Sequence, residues 1–331
     1  MSADPIDPEI PDVFAPRRAS TVDPAIPAEV FLHPVARPRM PTPSTVNGTR
    51  KARHREAGRL RPGATVDKYR IEELIGVGGF AVVYRATHML LCMQVALKLL
   101  RTDVVARRPQ LAAQLLQEAR FAARIDHPNV VKILDVTHTS EITYIVMELI
   151  RGDNLARLVD QHGALPVPQV VRVGRDVVAG LSAGLDQGLI HRDIKPANIL
   201  LSAASGSARI VDLGLANLVA PGADDGPLRD ATLVGTRGYM SPEQIRDPRA
   251  VDFRSDIYSL GVTLREAATG VTPSSARQRG QPLRTASVEL DRILDWMVAP
   301  LPADRPESYA ALDAALHQLT PEANHQPRRS T

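Results

Sequence analysis

The sequence predicts an α+β fold in which strands come first along the chain and helices follow. Short segments rich in β-branched and aromatic residues recur between positions 69 and 149, with turn residues between them. Beyond position 150, apolar residues recur at helical spacing instead. Strands gathered in one part of the chain and helices in the other are typical of α+β proteins rather than of alternating βαβ units.

Five strands and one helix are predicted in the first part. The strands are expected at residues 69–75, 82–84, 94–100, 130–136 and 143–149, and the turns between them favour antiparallel pairing. Between the third and fourth strands, apolar residues at 111, 115, 116, 119, 122 and 123 predict a helix over residues 111–125. The expected result is a small antiparallel sheet with one main helix.

Helices are predicted for most of the second part. One apolar stripe is formed by Val170, Val173, Val177, Val178, Leu181 and Leu185. Residues 257–268 and 308–319 have similar stripes. This part of the chain is therefore expected to be larger and mainly helical.

Composition excludes several classes of protein. Of the 331 residues, 44% are hydrophobic, which is enough for a buried core. The single cysteine, Cys92, excludes an intrachain disulfide framework and a cysteine-based zinc cage, and its apolar neighbours predict that it packs in the interior. No apolar run approaches the roughly 18 residues of a membrane helix, and the acidic, proline-broken N-terminus does not resemble a signal peptide. A cytoplasmic protein without a membrane span is expected.

The first 62 residues differ from the rest of the chain. They carry 11 of the 27 prolines, and ten of the 40 Lys and Arg residues against seven of the 37 Asp and Glu residues, so the remainder is neutral. Such proline density predicts a disordered Pro/Arg-rich N-terminal arm over residues 1–62. Its basic segment, residues 50–61, could bind a partner, although a solvated linker is the simpler interpretation. Because no aromatic residues are interleaved to stack on bases, a nucleic-acid partner is not expected.

A glycine-rich turn lies between the first two predicted strands. Gly76, Gly78 and Gly79 would let the backbone approach a phosphate closely, because no Cβ intervenes. The turn is neither a Walker loop nor a dinucleotide fingerprint, since no Gly-Lys-Ser/Thr follows and a strand comes next. Lys98 closes the third strand, and a buried ammonium there would need Glu118 or a phosphate as its partner. A surface lysine whose stem packs on the sheet is the alternative.

A second cluster of polar residues lies in the helical part. Residues 190–201 read IHRDIKPANILL and hold a carboxylate, an ammonium and a carboxamide within six residues, namely Asp193, Lys195 and Asn198. Asp212 adds a second carboxylate in a turn after a predicted strand at residues 209–211. Mg²⁺ prefers hard oxygen ligands, which Asn198 and Asp212 could supply.

These motifs occur in the order and at the spacing of one family. Over residues 69–319 the chain resembles a protein kinase of the eukaryotic-like serine/threonine type found in bacteria. The resemblance implies a two-lobed kinase domain at residues 66–319, with an N-lobe at about 66–150 and a C-lobe at about 151–319, followed by a polar tail at 320–331. It also implies transfer of the γ-phosphoryl group of Mg-ATP to serine or threonine hydroxyls of protein substrates.

The resemblance implies a set of ATP-binding residues. The glycine-rich loop would cover the phosphates, and Val83, Ala96 and Leu200 would sandwich the adenine. Met147 resembles the gatekeeper, and residues 148–150 resemble the hinge, whose backbone bonds to the adenine edge. The complete set is Ile75, Gly76, Val77, Gly78, Gly79, Val83, Ala96, Lys98, Met147, Glu148, Leu149, Ile150 and Leu200.

The resemblance also implies catalytic and metal-binding roles. Asp193 would be the base that accepts the substrate hydroxyl proton, and Lys195 would steady the transferring phosphoryl charge. Lys98, paired with Glu118, would hold the α- and β-phosphates. The residues expected to bind Mg²⁺, for which Mn²⁺ could substitute, are Asn198 and Asp212.

The resemblance also implies residues for regulation, acceptor specificity and structural support. In this family an arginine at the position of Arg192 commonly receives an activation-loop phosphate, for which Thr232 is the best acceptor and Thr236 the second. Lys195, two residues after the catalytic aspartate, is typical of serine/threonine rather than tyrosine kinases. Asp256 resembles the helix carboxylate that anchors the catalytic loop, and Glu243 and Arg305 match the buried ion pair of the family.

The sequence departs from the family pattern at four places. Ala81 replaces the third loop glycine and Leu213 replaces the usual phenylalanine, and neither change removes a chemical group. Ser241 stands where an alanine is usual, which is a mild departure. Residues 271–287 (VTPSSARQRGQPLRTAS) lack the apolar periodicity of the helix with which many kinases dock substrates or partners. The identity of the protein substrate therefore stays open.

Two other functions are compatible with such a fold. A pseudokinase scaffold or nucleotide-sensing switch is the main alternative, and the presence of the complete catalytic set argues against it. A small-molecule phosphotransferase is the third, and the activation segment and the Glu243–Arg305 pair argue against it, because both serve protein-substrate sites.

Overall fold

The computed structural model describes residues 60–79, 81–102, 105, 109–139, 142–212, 237–247, 251–279 and 283–320. Within these ranges strands precede helices, which confirms the predicted α+β order. Several predictions lie outside the described residues: the arm before residue 60, the tail after residue 320, and the positions Leu213, Thr232 and Thr236. The side chain of Glu118 is also outside them.

The first part of the structure contains a six-stranded antiparallel sheet with the strand order β1-β2-β3-β4-β6-β5. Its strands are β1 (Thr65–Val66), β2 (Tyr69–Val77), β3 (Ala81–His88), β4 (Met93–Leu100), β5 (Ile133–His138) and β6 (Thr143–Glu148). The five strands that the sequence predicted are all present. The short β1 was not predicted, and it extends the edge of the sheet by pairing with the start of β2.

Side chains alternate between the two faces of the sheet, and β4 illustrates the result. Val95 and Leu97 pack on one face, whereas Ala96 and Leu100 pack on the other. Lys98 has the same parity as Ala96 and is only 7% exposed, so its side chain lies with them. We call their group the inner cluster, which consists of the buried side chains Ala96, Leu100, Ala119, Val131, Ile145 and Met147.

The one main helix of this part is α1 (Pro109–Ala122), which contacts β5. β5 begins at Ile133, three residues later than predicted, because the residues before it pair elsewhere. Val131 N donates to Ile210 O at 2.9 Å, and Val130 forms a parallel bridge with the same residue. The apolar run that predicted one strand is thus divided, since Val130 and Val131 pair with β9 and the residues from Ile133 onward pair with β6.

The expectation for Cys92 was wrong. Cys92 is exposed in the turn between β3 and β4, with a φ of +54°. Its neighbours Met89, Leu90, Leu91 and Met93 are exposed as well. Apolar neighbours in the sequence therefore did not indicate burial here, because the whole hairpin tip projects from the sheet.

The second part is built from seven helices in the described ranges: α2 (Leu155–His162), α3 (Val167–Asp186), α4 (Pro242–Arg246), α5 (Arg254–Thr269), α6 (Pro273–Arg279), α7 (Val288–Met297) and α8 (Tyr309–His317). α3 packs against both α5 and α8. The predicted stripe of α3 is buried from Val170 to Leu181, and Leu185 is partly buried. In the ranges that the structure describes, no helix combines the length and the apolar character needed to cross a membrane.

Helix α6 forms in the polar segment that lacks the apolar periodicity of a docking helix. It spans seven residues and begins at Pro273, a residue whose fixed φ suits the first turn of a helix. Thr272 supports this start, because its Oγ1 accepts a hydrogen bond from Ser275 N at 3.3 Å. Local turn chemistry rather than apolar periodicity therefore accounts for this helix.

The polar motifs of the second part lie next to the strands of a small antiparallel sheet. It is formed by β7 (Gly152–Asn154), β8 (Ile199–Ser202) and β9 (Ala208–Ile210). Helix α3 lies close behind β9 at Gly180, where a Cβ would be 2.9 Å from both Asn129 O and Ile210 Cδ1. Glycine at this position permits the close approach that fixes β9 against the helices.

Candidate active site

One carboxylate organises the loop between α3 and β8. Asp193 Oδ2 accepts hydrogen bonds from Lys195 Nζ at 2.7 Å and from Asn198 Nδ2 at 3.0 Å. Asn198 Nδ2 also donates to the Asp193 carbonyl oxygen at 2.9 Å, so the amide oxygen of Asn198 points away from Asp193. Asp193 Oδ1 is buried and accepts no hydrogen bond within the described residues. Such an atom is uncommon and is typical of a catalytic group or of a site for an ion.

The loop is anchored to α5 by two backbone hydrogen bonds. Asp256, which is 1% exposed, accepts them from His191 N at 2.8 Å and from Arg192 N at 2.7 Å. Burial raises the pKa of Asp256, while the two N–H groups favour its charged form. Arg192 has a φ of +63°, a conformation that non-glycine residues rarely adopt without support from their surroundings. This is the anchoring contact that the sequence predicted for Asp256.

His191 connects this loop to the strand that precedes Asp212. Its Nδ1 accepts a hydrogen bond from Asp193 N at 3.2 Å, and its Nε2 lies 3.0 Å from Val211 O. Because a carbonyl oxygen can only accept, we assign the proton to Nε2, which gives the neutral tautomer. The side chain is buried, so its two hydrogen bonds fix the distance between Asp193 and Val211.

The ammonium and the second carboxylate predicted for the site meet in the structure. Lys98 Nζ lies 2.6 Å from Asp212 Oδ1. Lys98 is buried in β4, opposite Val83 and Ile145, whereas the Asp212 side chain is 31% exposed. Asp212 has a φ of +61°, so the chain turns sharply there. The predicted pairing of Lys98 with Glu118 stays a prediction, because the Glu118 side chain is outside the described residues.

Most of the apolar residues expected around adenine are grouped together. Ala96 and Met147 belong to the inner cluster, and the partly buried side chains that pack against it include Val83, Leu149, Ile150, Leu200 and Val211. Beyond the end of β6, the amide N–H of Ile150 donates to no other backbone group of the described residues. The partly buried side chains of this group leave an apolar surface beside that donor, which we call the slot. Such a surface suits a flat heterocycle.

The glycine-rich turn lies beside Val83, one of the side chains packed against the inner cluster. Gly76 pairs with Val83, and Gly78 N donates to Ala81 O at 2.8 Å, so the turn links β2 to β3. The side chains of Ile75 and Val77 are exposed, and their expected contact with the nucleotide stays a prediction.

Comparison with known proteins identifies the family. The profile of the family described as "Protein kinase domain" matches residues 69–319, which is more than half of the chain. The chain belongs to the protein kinase family. The resemblance read from the motifs is thereby confirmed.

Similar proteins are bacterial protein kinases by name. The chain is 35% identical over 269 residues to the serine/threonine-protein kinase PknB of Mycobacterium leprae (strain TN), covering 76% of this chain and 42% of that protein. It is 33% identical over 289 residues to the serine/threonine-protein kinase pkn3 of Myxococcus xanthus, covering 80% and 52%. The chain thus spans about half or less of the length of these curated relatives.

A solved structure agrees with the fold. The crystal structure of a point mutant of the Mycobacterium tuberculosis PknI kinase domain matches with a TM-score of 0.63 and 25% sequence identity. The match covers 78% of this chain and 98% of that one. The two-lobed kinase fold is therefore shared over nearly the whole of that domain.

Membership of the protein kinase family implies ATP and a divalent cation, and the donor set of this chain fits both. The Asn198 amide oxygen and the Asp212 carboxylate are hard oxygen ligands, the type that Mg²⁺ and Mn²⁺ prefer. Lys98 supplies a positive charge at 2.6 Å from the same carboxylate. The orphaned Asp193 Oδ1 lies in the same loop as Asn198. Few protein ligands are usual where a substrate's phosphates complete the coordination.

A buried ion pair supports the segment that follows the site. Arg305, whose side chain is fully buried, donates to both carboxylate oxygens of Glu243, at 2.6 and 2.8 Å. Its remaining donors reach the backbone carbonyls of Ala299, Pro300 and Arg254. Burial alone would raise the pKa of Glu243, but hydrogen bonds from Arg305, Ser241 and Ser255 outweigh it and lower the pKa to about 2.

This ion pair predicts an acid-dependent loss of stability. The pKa of Glu243 falls on folding from 4.5 to about 2, so its carboxylate contributes stability above pH 4.5 that is lost as the pH falls to about 2. A shift of this size corresponds to about 3 kcal/mol. We expect urea unfolding to give a free-energy difference between the unmodified chain and Glu243→Gln that shrinks between pH 5 and pH 2. The comparison cancels the contributions of other carboxyl groups, and a difference independent of pH would contradict the assignment.

Two contacts near the site were missed by sequence reasoning. Gln244 Nε2 donates to the Arg192 carbonyl oxygen at 2.7 Å, and Tyr239 donates to Glu266 Oε2 at 2.5 Å. Burial raises the pKa of Glu266, although the hydrogen bond from Tyr239 acts in the opposite direction. Both pairs tie residues 239–244 to the catalytic loop or to α5. Neither has a local signal, because the partners are distant in sequence.

Proposed function

We propose that this chain is a serine/threonine protein kinase that transfers the γ-phosphoryl group of Mg-ATP to hydroxyl groups of protein substrates. The observation that carries the proposal is Asp193, whose Oδ2 is held by Lys195 and Asn198 while its buried Oδ1 has no donor among the described residues. One fixed oxygen and one available oxygen suit a base that accepts a hydroxyl proton. The family assignment and the names of the relatives support the same activity.

At the acceptor end, the proposed steps use side chains of the catalytic loop. Asp193 Oδ1 would accept the hydrogen bond of the substrate hydroxyl and then its proton as the hydroxyl oxygen bonds to the γ-phosphorus. The bond from the γ-phosphorus to the bridging oxygen breaks in the same transfer, and that oxygen leaves with ADP. Lys195 Nζ, 2.7 Å from Asp193, would place a positive charge beside the transferring phosphoryl oxygens. The hydrogen bonds from His191 N and Arg192 N to Asp256 would keep this geometry rigid during the transfer.

At the nucleotide end, the proposed roles are positioning and charge neutralisation. Lys98 would bind the α- and β-phosphates, and the glycine-rich turn would cover them with its backbone. We propose that Asn198 and Asp212 hold Mg²⁺, for which Mn²⁺ could substitute, because hard oxygen donors completed by phosphates are typical of Mg²⁺. When bound, the cation supplies charge neutralisation at the phosphate oxygens. Lys98 is buried next to Asp212, so little reorganisation is needed when the phosphates arrive.

The acceptor class and the domain limits are also proposals. Lys195, two residues after Asp193, supports serine or threonine as the acceptor rather than tyrosine. We propose a kinase domain at residues 66–319, preceded by an arm at 1–62 that could bind a partner and followed by a tail at 320–331. We propose the cytoplasm as the location of the activity, because the proposed co-substrate ATP is available there.

Phosphorylation of Thr232 is the proposed regulatory event, with Thr236 as the second candidate. Arg192 lies directly before Asp193, and a phosphate that it binds would connect the activation segment to the base. We expect Thr232→Ala to lower autophosphorylation and to reduce turnover by roughly tenfold. Phosphosite mapping after incubation with Mg-ATP measures the first effect, and initial rates measure the second. Thr65→Ala, at an exposed position in β1, is the control, and undiminished turnover and phosphate content in Thr232→Ala would remove the proposal.

A panel of acceptors tests the proposed function against its alternatives. The purified chain is incubated with Mg-ATP and casein, myelin basic protein, a small alcohol, or no added acceptor. We expect phosphate in the protein acceptors and in the chain itself, and none in the small alcohol. ATP binding without any transfer would favour the pseudokinase alternative, and transfer only to the small alcohol would favour a small-molecule phosphotransferase.

A further inference from the structure

The side chain of Glu148 is on the face of β6 opposite the apolar slot. Side chains alternate along β6, so Met147 faces the inner cluster and the Glu148 carboxylate lies on the other face. Both carboxylate oxygens are engaged there. Oε1 accepts a hydrogen bond from Lys132 N at 2.9 Å, and Oε2 accepts one from Arg209 Nη1 at 2.7 Å. The carboxylate therefore contacts the protein rather than the slot, although its backbone belongs to the expected hinge.

Arg209 brings this contact to the strand that leads into Asp212. It is the middle residue of β9, and its neighbours Ala208 and Ile210 are fully buried on the opposite face. Its register partner on β8 is Leu200, one of the residues packed against the inner cluster. Asp212 follows three residues later. A movement of Arg209 would therefore displace both Leu200 at the slot and the expected metal ligand Asp212.

A backbone path runs parallel to this side-chain contact. Glu148 N donates to Lys132 O at 3.0 Å, Val131 N donates to Ile210 O at 2.9 Å, and Ile210 N donates to Asn129 O at 2.8 Å. The segment 129–132 therefore lies between the end of β6 and β9, bonded to both. The Glu148–Arg209 ion pair spans the same gap directly. The two connections together resist any change in the spacing between hinge and β9.

Partial burial makes this ion pair stronger than an ordinary surface ion pair. The side chains of Arg209 and Glu148 are 26% and 31% exposed, so both are mostly removed from water. Charge-assisted hydrogen bonds are stronger than neutral ones, and partial burial reduces their screening. Glu148 Oε1 also satisfies a backbone N–H, so the carboxylate orientation is fixed from two sides.

We propose that Glu148 and Arg209 form a positioning pair that sets the spacing between the adenine-binding hinge and the strand leading into Asp212. The proposal rests on the proposed function, because it assumes that ATP occupies the slot. Neither side chain touches the nucleotide in this scheme. The pair acts through the hinge backbone, so its loss weakens the binding of the adenosine part of ATP and leaves the transfer step itself largely unchanged.

Binding of adenosine and of Mg-ATP, measured by calorimetry on the full chain, tests the pair. Arg209→Met keeps the apolar stem and removes the charge, and we expect it to weaken both ligands by a similar factor of about three to ten. The KM for ATP should rise by the same factor, while kcat at saturating ATP stays within about twofold. Arg209→Lys should restore most of the affinity. The matched control is Arg175→Met, which breaks the 2.9 Å Arg175–Asp313 pair between α3 and α8.

A second variant keeps the test decisive if Arg209→Met folds poorly. Glu148→Gln retains an oxygen for Lys132 N and loses the charge that binds Arg209, so it should weaken adenosine and Mg-ATP by the same factor. In the double variant the two effects should not add, because each single change already breaks the pair. Unchanged affinities in either single variant would overturn the proposal. Weaker Mg-ATP binding with unchanged adenosine binding would also overturn it, because the effect would then lie at the phosphates.

The two proposals fail in different ways. These binding measurements need no phosphoryl transfer, so an unmodified chain that binds ATP without transferring phosphate removes the kinase proposal and leaves the pair to be decided by affinity. If transfer occurs and the pair variants bind as tightly as the unmodified chain, only the pair is wrong. Absence of any adenosine or ATP binding by the unmodified chain would remove both.

Discussion

Replacing Asp193 with asparagine is expected to lower turnover by about a thousandfold, within the range usual for the loss of a general base. The asparagine oxygen can still accept hydrogen bonds from Lys195 and Asn198, as Oδ2 does in the structure. The amide nitrogen then takes the place of Oδ1, and an amide N–H₂ donates hydrogen bonds but cannot accept a proton. The change thus removes the base and keeps the local geometry.

The Asp193→Asn variant is informative only if its effect on phosphoryl transfer is separated from its effect on Mg-ATP binding. Affinity for Mg-ATP should change by less than about threefold, because Asp193 lies at the acceptor end of the site and not among the expected phosphate contacts. Steady-state kinetics and calorimetry on the same preparation measure the two quantities. Asp186→Asn, at the exposed end of α3, is the control and should leave both unchanged. Full activity in Asp193→Asn would show that another group is the base.

Replacing Lys98 with methionine should abolish measurable turnover, with a loss of more than about a hundredfold in kcat/KM. Methionine preserves the apolar stem that packs beside Ala96 in β4 and removes the ammonium 2.6 Å from Asp212. The phosphates and the Asp212 carboxylate would then face each other without the neutralising charge that the buried ammonium supplies. Both ATP affinity and the transfer step should suffer, in contrast to Asp193→Asn.

The fold should survive the loss of Lys98. Asp212 is partly exposed and can be hydrated, so its lost partner should cost little stability. Circular dichroism and the urea midpoint test this point. Lys68→Met removes a lysine that pairs with Asp135 at 2.8 Å elsewhere in the same part of the structure and should leave kcat/KM unchanged. A Lys98→Met chain with normal kcat/KM would exclude the proposed phosphate contact.

The fold was predictable where a local pattern corresponds to a local structure. Alternation in the strands and the stripe from Val170 to Leu181 identified the sheet and helix α3, since burial of one face imposes its period on the sequence. The same logic failed at residues 130–132, where an apolar run divides between β5 and β9, and at Cys92, where an apolar hairpin tip is exposed. In both cases the assembled fold determined which residues pair and which are exposed, and the local sequence pattern does not indicate this.

The candidate site was predictable to a different extent. The motif residues Asp193, Lys195 and Asn198 are close in sequence, and the structure brings them into contact as a group. The availability of Asp193 Oδ1 was not predictable, because it depends on which donors the fold directs elsewhere. The Glu148–Arg209 pair joins residues 61 positions apart, and the motifs predicted a role for the hinge backbone at Glu148 but none for Arg209. Contacts of this kind emerge only when the strands are assembled.

The most direct measurement is the identity of the amino acid that receives label from ATP radiolabelled at the γ-phosphate. The full chain is incubated with labelled Mg-ATP and a protein acceptor, and the labelled protein is hydrolysed to phosphoamino acids. We expect label in phosphoserine or phosphothreonine, formed about a thousandfold more slowly by the Asp193→Asn chain. Absence of label, label confined to phosphotyrosine, or equal rates for the unmodified and Asp193→Asn chains would contradict the proposed serine/threonine kinase activity.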